Sequence, residues 1–299
     1  MYRKPNLVIL GATKSASTLL QKCLDLHPDI YFTPGEVPYF ESPDYEHKVK
    51  SHISSFFNGR NERYLGIKRP SYIGRPEVPE RIKSDLPESK LLAVLRNPIE
   101  RAISHYFHSM KNGFLPLLPL EAGMNKILED NDYKCRHPHA TAILEYGLYA
   151  KYLKKYNFFL NNGNIFILLQ EDFIASKSNN MNLVLDFLGL PNYFEKEIEV
   201  GHPQKTSYSI SSIRISRLFN LFYNKYNQSR TRLYPRKSTK TTQILKKIEG
   251  KITARFGNMC ARDDRTISER LHQRLFDYYK SDIVETQEII GKNLQKWLI

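Results

Sequence analysis

The sequence predicts an α/β fold: a single domain with a central, mostly parallel β-sheet flanked by helices. Three short, almost wholly apolar runs are each followed by a segment with helical periodicity: residues 6–10 (NLVIL), 90–95 (KLLAVL) and 164–169 (NIFILL). Strands that are apolar throughout are typical of parallel sheets covered by helices on both faces. The 299 residues are enough to bury a large core, so we treat residues 1–299 as one domain.

Proline, glycine and apolar spacing predict the other elements. The first helix is expected at residues 17–26, before His27-Pro28. The next begins at Asn97-Pro98, because a proline in the first turn of a helix loses no hydrogen bond. The remaining expected elements are a strand at 64–68 and helices at 98–111, 179–188 and 267–290. Residues 114–119 and 135–139 are expected to be loops that recognise a substrate.

The positive charge is concentrated in one segment. The chain carries 45 Lys and Arg against 31 Asp and Glu, a net charge of +14. Between Asn220 and Arg262 there are eleven basic residues and one acidic residue, Glu249, so residues 220–262 alone carry +10. We expect this segment to be an insertion or lid, and its charge suits an anionic ligand, nucleic acid or a membrane surface; a solvated, partly mobile surface is the alternative.

Composition also excludes several classes of protein. No apolar run is long enough to cross a membrane, and the N-terminal residues continue directly into the first predicted strand, so no signal peptide is expected. Three unclustered cysteines argue against a disulfide framework or a zinc site. We therefore expect a cytoplasmic protein with no metal and no membrane span.

The segment after the first strand has the composition of an anion-binding loop. Residues 11–18 read GATKSAST, so small residues allow close approach to the backbone and Lys14 adds a charge. The helix that follows supplies free N–H groups and the positive end of its dipole. This chemistry suits a phosphate or sulfate ester, although the lysine spacing is not that of a Walker A loop. The alternative is a hydroxyl-rich helix cap with an exposed lysine.

A second anion site is expected after the strand at 90–95. Arg96 lies at its carboxyl end, where ligands bind in open parallel sheets, and Ser104 follows eight residues later in the next helix. The planar guanidinium of arginine suits a terminal phosphate. The alternative is that Arg96 pairs with Glu100 and that Ser104 is a surface residue. Together the two loops indicate a nucleotide with two separated anionic groups.

These segments resemble the sulfotransferases that use 3′-phosphoadenosine 5′-phosphosulfate (PAPS), in particular the bacterial enzymes and the heparan sulfate sulfotransferases. Residues 11–20 (GATKSASTLL) resemble the family's 5′-phosphosulfate loop, and Leu95-Arg96-Asn97-Pro98 through Ser104 resembles its 3′-phosphate motif. Other matching segments occur in family order: Leu26-His27-Pro28, residues 66–72 (GIKRPSY), Glu171-Asp172-Phe173, residues 187–190 (FLGL) and Trp297.

The resemblance implies a transferase that moves a sulfuryl group from PAPS to a hydroxyl or amine, by in-line transfer and without a metal. It implies these donor-binding residues: Lys14, Ser15, Ala16, Ser17, Thr18, Leu19, Arg96 and Ser104. Residues 34–40 (PGEVPYF) resemble the Glu-x-x-Phe-Phe region of the heparan sulfate enzymes, which implies that Glu36 is the general base. Lys14 and Lys68 complete the implied catalytic set; a solvated acid and a surface lysine are the alternatives for Glu36 and Lys68.

The sequence also departs from the family pattern. Ala16 stands where glycine is common, Ser17 where threonine is common, and Gly35 where lysine often precedes the base. Two segments are candidates for the family's third loop, residues 202–207 and 235–238. The acceptor is expected to be a small molecule or a saccharide, and no nucleic-acid partner is expected; the oligomeric state stays open.

Two other functions remain as alternatives. A nucleotide-dependent small-molecule kinase is disfavoured by the lysine spacing and by the lack of an apolar strand that ends in an aspartate for magnesium. A non-enzymatic binder of polyanions or nucleic acid would use the basic segment at 220–262, which contains no recognisable nucleic-acid-binding motif.

Overall fold

Five parallel strands form the central sheet. The structure, a computed structural model, describes residues 3–47, 51–200, 209–227, 233–236, 239–259 and 265–299. The strands are β1 (Leu7–Gly11), β2 (Ile30–Phe32), β3 (Tyr64–Lys68), β4 (Lys90–Leu95) and β5 (Ile165–Leu169). Their order is β2-β3-β1-β4-β5, and every neighbouring pair is parallel. The predicted class, a single α/β domain with a central parallel sheet, is confirmed.

The chain reverses its direction of travel across the sheet at β1. Leu7 of β1 lies opposite Gly66 of β3 on one side and Lys90 of β4 on the other. From β1 the chain runs to β2 and β3 on one side, and then crosses to β4 and β5 on the other. Ligands of open α/β sheets bind outside the carboxyl ends of the strands at such a switch point. The loops that follow β1, β3 and β4 are therefore the place to look for a site.

The sheet belongs to the first of two compact units. This first unit comprises Met1–Arg101, Leu148–Pro203 and Lys280–Ile299. Its helices are α1 (Ser17–Leu24), α2 (Ser51–Ser55), α3 (Val78–Asp85), α8 (Tyr149–Leu153), α9 (Asn157–Asn161), α10 (Gln170–Ala175) and α11 (Lys177–Leu188). Helix α4 (Pro98–Lys111) begins in this unit.

The second unit comprises Ala102–Gly147 and Gln204–Tyr279. Its helices are α5 (Leu120–Glu129), α6 (Asn131–Arg136), α7 (Pro138–Glu145), α12 (Ile210–Tyr223) and α13 (Lys240–Met259), and α14 (Glu269–Ile290) begins here. Two short antiparallel strands, β6 (Asn224–Tyr226) and β7 (Leu233–Pro235), lie between α12 and α13. Within the basic segment at 220–262, the residues that the structure describes thus form the end of α12, this strand pair and α13; a role as a lid stays a prediction.

Burial explains why the apolar runs became strands. The side chains of Leu7 and Ile9 in β1 are fully buried, and they share one hydrophobic cluster with Leu20 of α1 and Leu185 of α11. At about 25 cal/mol per Å² of apolar surface removed from water, each such side chain contributes roughly 2 kcal/mol to folding. Helix α11 ends at Leu188, and the next residue, Gly189, has a φ of 64°, in the left-handed region that commonly terminates helices.

One predicted loop is wrong. Residues 135–139 are not a loop: they form the end of α6 and the first turn of α7. The physical reason is Pro138, which interrupts α6 but occupies the first turn of α7, where the missing N–H of proline costs nothing. Residues 114–119, the other predicted loop, contain neither helix nor strand.

Gly11 lets the end of β1 pass close to the loop that follows β3. A Cβ atom at this position would lie 2.3 Å from the carbonyl oxygen of Pro70, and the φ of Gly11 is +132°, which L-residues avoid. We expect Gly11→Ala to lower the free energy of unfolding by roughly 2–4 kcal/mol, since strain and overpacking add. Denaturant unfolding followed by circular dichroism measures it.

Gly163→Ala is the control for this prediction. Gly163 also has a positive φ, +62°, but a Cβ atom there would have no heavy atom within 4 Å. Backbone strain alone predicts a loss of about 1 kcal/mol. Equal losses for the two variants would contradict the close approach of Gly11 to Pro70.

Candidate functional site

The loop between β1 and α1 has the backbone shape of an anion-binding nest. Lys14 and Ala16 both have φ of 68°, in the left-handed region, and α1 begins at Ser17. Alternation of this kind turns successive N–H groups toward one concave point. The N-cap residue is Ala16, so no hydroxyl caps the helix. Within the described part of the chain, the amides of Ser17 and Thr18 at the start of α1 are therefore open to a ligand or to water.

Some amide groups of this loop already form hydrogen bonds within the protein, whereas other polar groups are open to a ligand. The Ser15 side chain is fully buried, and its Oγ lies near the Tyr149 hydroxyl without a hydrogen bond of standard geometry to any residue the structure describes. A buried polar atom of this kind is costly unless a ligand satisfies it. In contrast, the Ser15 and Leu19 amides already donate to Ala12 O and Ala16 O, at 3.2 and 2.9 Å. The backbone N–H groups that remain as candidates for binding a phosphate are therefore those of residues 16–18.

Arg96, at the end of β4, reaches the same loop. Its Nη1 donates to the carbonyl oxygen of Lys14 at 3.4 Å, while Nε and Nη2 donate to Glu100 at 3.1 and 2.8 Å. The pairing with Glu100 that the sequence left open is thus present. Such an exposed i,i+4 pair contributes only about 0.3–0.5 kcal/mol. It therefore offers little resistance to a phosphate that competes for the guanidinium.

Side chains from two other segments hold the backbone of the Arg96 turn. The Tyr149 hydroxyl donates to Arg96 O at 2.8 Å, and burial raises the pKa of this phenol. Glu171 Oε1 accepts from the Asn97 amide at 3.2 Å and from the Trp297 indole N–H at 3.3 Å. Glu171 and Trp297, which both belong to the resemblance with the sulfotransferases, therefore stabilise the conformation of this turn.

Lys68, the last residue of β3, is a buried cation beside the first turn of α1. The residue is 4% exposed, and its Nζ donates to Thr18 Oγ1 at 3.0 Å. Desolvation lowers the pKa of Lys68, an effect that the nearby carboxylates of Glu36 and Asp25 partly oppose. A partly desolvated ammonium group at this point is well suited to attract an anion.

Glu36 lies beside Lys68 and is held by an arginine. Arg69 Nη1 contacts Glu36 Oε2 at 2.6 Å, and the Glu36 side chain is 42% exposed. The backbone at Val37 is fastened to the same segment, because its N–H donates to Lys68 O at 3.0 Å. Glu36 is therefore placed next to both cations.

A second carboxylate, Glu41, completes this cluster from the buried side. Its side chain is 1% exposed and accepts from Arg69 Nε at 2.9 Å and from Ser71 Oγ at 2.6 Å. Burial alone would raise the pKa of Glu41, but the adjacent Arg69 and the hydrogen bond from Ser71 lower it overall. Glu41 is therefore a carboxylate whose charge is matched inside the protein.

The remaining predicted residues lie on other segments of the chain. Ser104 lies on α4 in the second unit and is 4% exposed, so its contact with a 3′-phosphate stays a prediction. Residues 202–207, one candidate third loop, lie outside the described residues, as do residues 237–238 of the other candidate. His27 has a structural role, because its Nδ1 accepts from the Asp29 amide at 3.1 Å.

Comparison with protein-family profiles identifies the family of this chain. The family profile described as "Sulfotransferase domain" matches residues 4–211. The chain belongs to the sulfotransferase family. The matched span includes the loops after β1, β3 and β4. The resemblance to the sulfotransferases that the sequence showed is confirmed.

Individual relatives of this sulfotransferase share between a quarter and a third of their aligned residues with it. It is 29% identical over 192 residues to the human protein "Heparan sulfate glucosamine 3-O-sulfotransferase 6", which covers 63% of this chain and 53% of the relative. It is 25% identical over 205 residues to the mouse protein "Bifunctional heparan sulfate N-deacetylase/N-sulfotransferase 2", covering 63% of this chain and 22% of that relative. The chain thus spans about half the length of the first relative and less than a quarter of the second.

A solved structure matches almost end to end. The sulfotransferase from Alicyclobacillus acidocaldarius aligns with a TM-score of 0.67 and 19% identity, over 99% of both chains. At this identity the likeness shows the fold alone. Within the described part of the sulfotransferase, no helix has the length and apolarity needed to cross a membrane.

Sequence reasoning missed Arg69 and Glu41. Both lie within segments that it quoted or adjoined, GIKRPSY and PGEVPYF, but only the folded chain shows that they pair across 28 positions. The available signal was the double charge Lys68-Arg69 at the end of a buried strand, since a second, partly buried cation needs a carboxylate partner.

Proposed function

We propose that this sulfotransferase moves a sulfuryl group from PAPS to a hydroxyl or amine of a small-molecule or saccharide acceptor. The observation that carries the proposal is the convergence of the Lys14 loop, Glu36, Lys68 and Arg96 beyond the carboxyl ends of β1, β2, β3 and β4. A saccharide acceptor is supported by the names of the relatives, both heparan sulfate enzymes.

The residues present fit an anionic donor. The unpartnered Ser15 Oγ, the nest formed around Lys14 and Ala16, and the uncapped start of α1 would all be satisfied by a phosphate group. When bound, the donor supplies an activated sulfuryl group. Arg96 is proposed to hold the second phosphate of the donor, and the phosphate contact expected of Ser104 stays a separate prediction.

The protein's own groups have three tasks in this proposal. Lys14 stabilises negative charge on the phosphate that is released, and Lys68 orients the group in transfer. Glu36 takes the proton of the acceptor hydroxyl or amine as the new bond to sulfur forms and the bond from sulfur to the phosphate oxygen breaks. No metal is assigned a role. The experiment that tests the reaction is incubation with labelled PAPS and a panel of acceptors, read as a mass gain of one sulfuryl group.

Ligand-induced stabilisation separates this proposal from a kinase. We expect adenosine 3′,5′-bisphosphate, at 100 times its Kd, to stabilise the protein by about 2.7 kcal/mol, and ATP with Mg²⁺ to have a much smaller effect. Differential scanning fluorimetry measures both as shifts in Tm. Arg96→Gln should reduce the shift, whereas Lys83→Gln, which removes an exposed charge from α3, should not. A larger shift with ATP and Mg²⁺ would favour the kinase.

A further inference from the structure

The proposed base lies on a segment without helix or strand, so something else must fix it. Residues 34–38 adopt no regular element, and Gly35, immediately before Glu36, has a φ of +81°. The Tyr72 hydroxyl donates to Val37 O at 2.5 Å and accepts from the Phe40 amide at 3.1 Å. These bonds fix the backbone after Glu36, but they leave its side chain to be oriented by another group.

Arg69 provides that contact. Its guanidinium joins two carboxylates: Nη1 donates to Glu36 at 2.6 Å, while Nε and Nη2 donate to Glu41. The Glu41 side chain is nearly inaccessible, and Ser71 fixes its other oxygen at 2.6 Å. The planar fork of arginine is thereby held in one orientation, and Nη1 is directed at the base.

The charges in this cluster also suit a group that changes its protonation state. If Arg69 had only Glu36 as a partner, protonation of Glu36 would leave a partly buried guanidinium unpaired, which is costly. Because Glu41 remains ionised beside Arg69, the guanidinium stays neutralised whether Glu36 carries a charge or a proton.

We propose that Arg69 is a positioning residue for the base: the buried Glu41 anchors its guanidinium, which holds the Glu36 carboxylate beside Lys68. The inference rests on the proposed function, in which Glu36 accepts the acceptor's proton. Arg69 itself touches neither substrate in this proposal. Its role is to present Glu36 in one orientation, so its loss should affect turnover and leave donor binding intact.

The test uses a charge-matched double variant, because Arg69→Met alone strands a buried carboxylate and risks misfolding. Arg69→Met/Glu41→Gln removes both charges, and glutamine keeps an oxygen for Ser71. We expect Tm and the calorimetric affinity for adenosine 3′,5′-bisphosphate to stay near wild type, the latter within about 3-fold. We expect kcat of the double variant to fall 10- to 100-fold with little change in KM for PAPS. The single variant Arg69→Lys, which keeps a positive charge, should lose less kcat than the double variant.

Arg75→Met is the matched control. Arg75 Nε approaches the same buried Glu41 carboxylate, at 3.8 Å, and among the described residues it has no bond to Glu36. A general effect of removing a cation near Glu41 would appear in this variant, whereas a positioning effect would not. We therefore expect Arg75→Met to retain the wild-type kcat.

The outcomes separate this inference from the proposed function. Wild-type kcat in the double variant would overturn the role of Arg69 and leave the sulfuryl transfer intact. A loss of bisphosphate affinity as large as the loss of kcat would also overturn it, because Arg69 would then bind the donor. Wild-type protein that binds the bisphosphate but transfers no sulfuryl group to any acceptor would overturn both.

Discussion

Lys14→Ala is expected to lower kcat by about 100- to 1,000-fold, the loss typical when one group that stabilises transition-state charge is removed. Lys14 lies in the left-handed turn between β1 and α1, where its carbonyl already accepts a bond from Arg96. The loss should fall mainly on kcat, because charge on the released phosphate grows only as the bond to sulfur breaks. Steady-state kinetics with PAPS and the best acceptor from the panel measure it.

Lys22→Ala is the control for Lys14. Lys22 is an exposed cation in the last turn of the same helix, α1, so its removal changes the local charge by the same amount. We expect its kcat to stay within 2- to 3-fold of wild type, because Lys22 is exposed to solvent and is the smallest of the electrostatic influences on Lys68. Equal losses in the two variants would show that the effect is one of general charge, and the role proposed for Lys14 would fall.

Glu36→Gln is expected to lower kcat by about 100- to 10,000-fold, the usual contribution of a general base. Glutamine preserves the size of the side chain and an oxygen that can accept from Arg69, but it cannot take a proton from the acceptor. Affinity for adenosine 3′,5′-bisphosphate should not change. Calorimetry and pre-steady-state rates, measured on the same preparation, separate binding from chemistry.

Glu46→Gln is the control for Glu36, since Glu46 is an exposed acid ten residues further along the chain, in the 3-10 turn Tyr45–His47. We expect it to be active at the wild-type rate. If Glu36→Gln also turned over at the wild-type rate, Glu36 would not be the base, and the role of Arg69 would lose its purpose as well.

The sequence was sufficient for the parts of the fold that depend on local patterns. The strands at 64–68 and 90–95 have the predicted bounds, because each is a buried apolar run with clear ends. The three-residue β2 was missed, since a run this short has no periodicity to detect. The two helices that meet at His137-Pro138 were missed because the same proline that ends one helix begins the next.

Prediction of the site followed the same division. The nearness of the Lys14 loop to Arg96 could be predicted, because both follow strands of one parallel sheet. The Arg69–Glu41 pair could not, since no local pattern relates residues 28 positions apart. Nor could the sequence show whether the Arg96 guanidinium binds Glu100 or a phosphate, because both partners suit the same guanidinium.

The bond from Trp297 to Glu171 has a consequence for biosynthesis. Glu171 braces the turn that carries Arg96, and Trp297 in turn fixes Glu171, packing its ring near Tyr149 with centroids 6.0 Å apart. On the ribosome, Arg96 emerges some 200 residues before Trp297 does. At 5–20 residues per second, roughly 10–40 seconds of translation separate the two. A nascent chain should therefore complete the turn that carries Arg96, and with it the proposed donor site, only after Trp297 has left the exit tunnel.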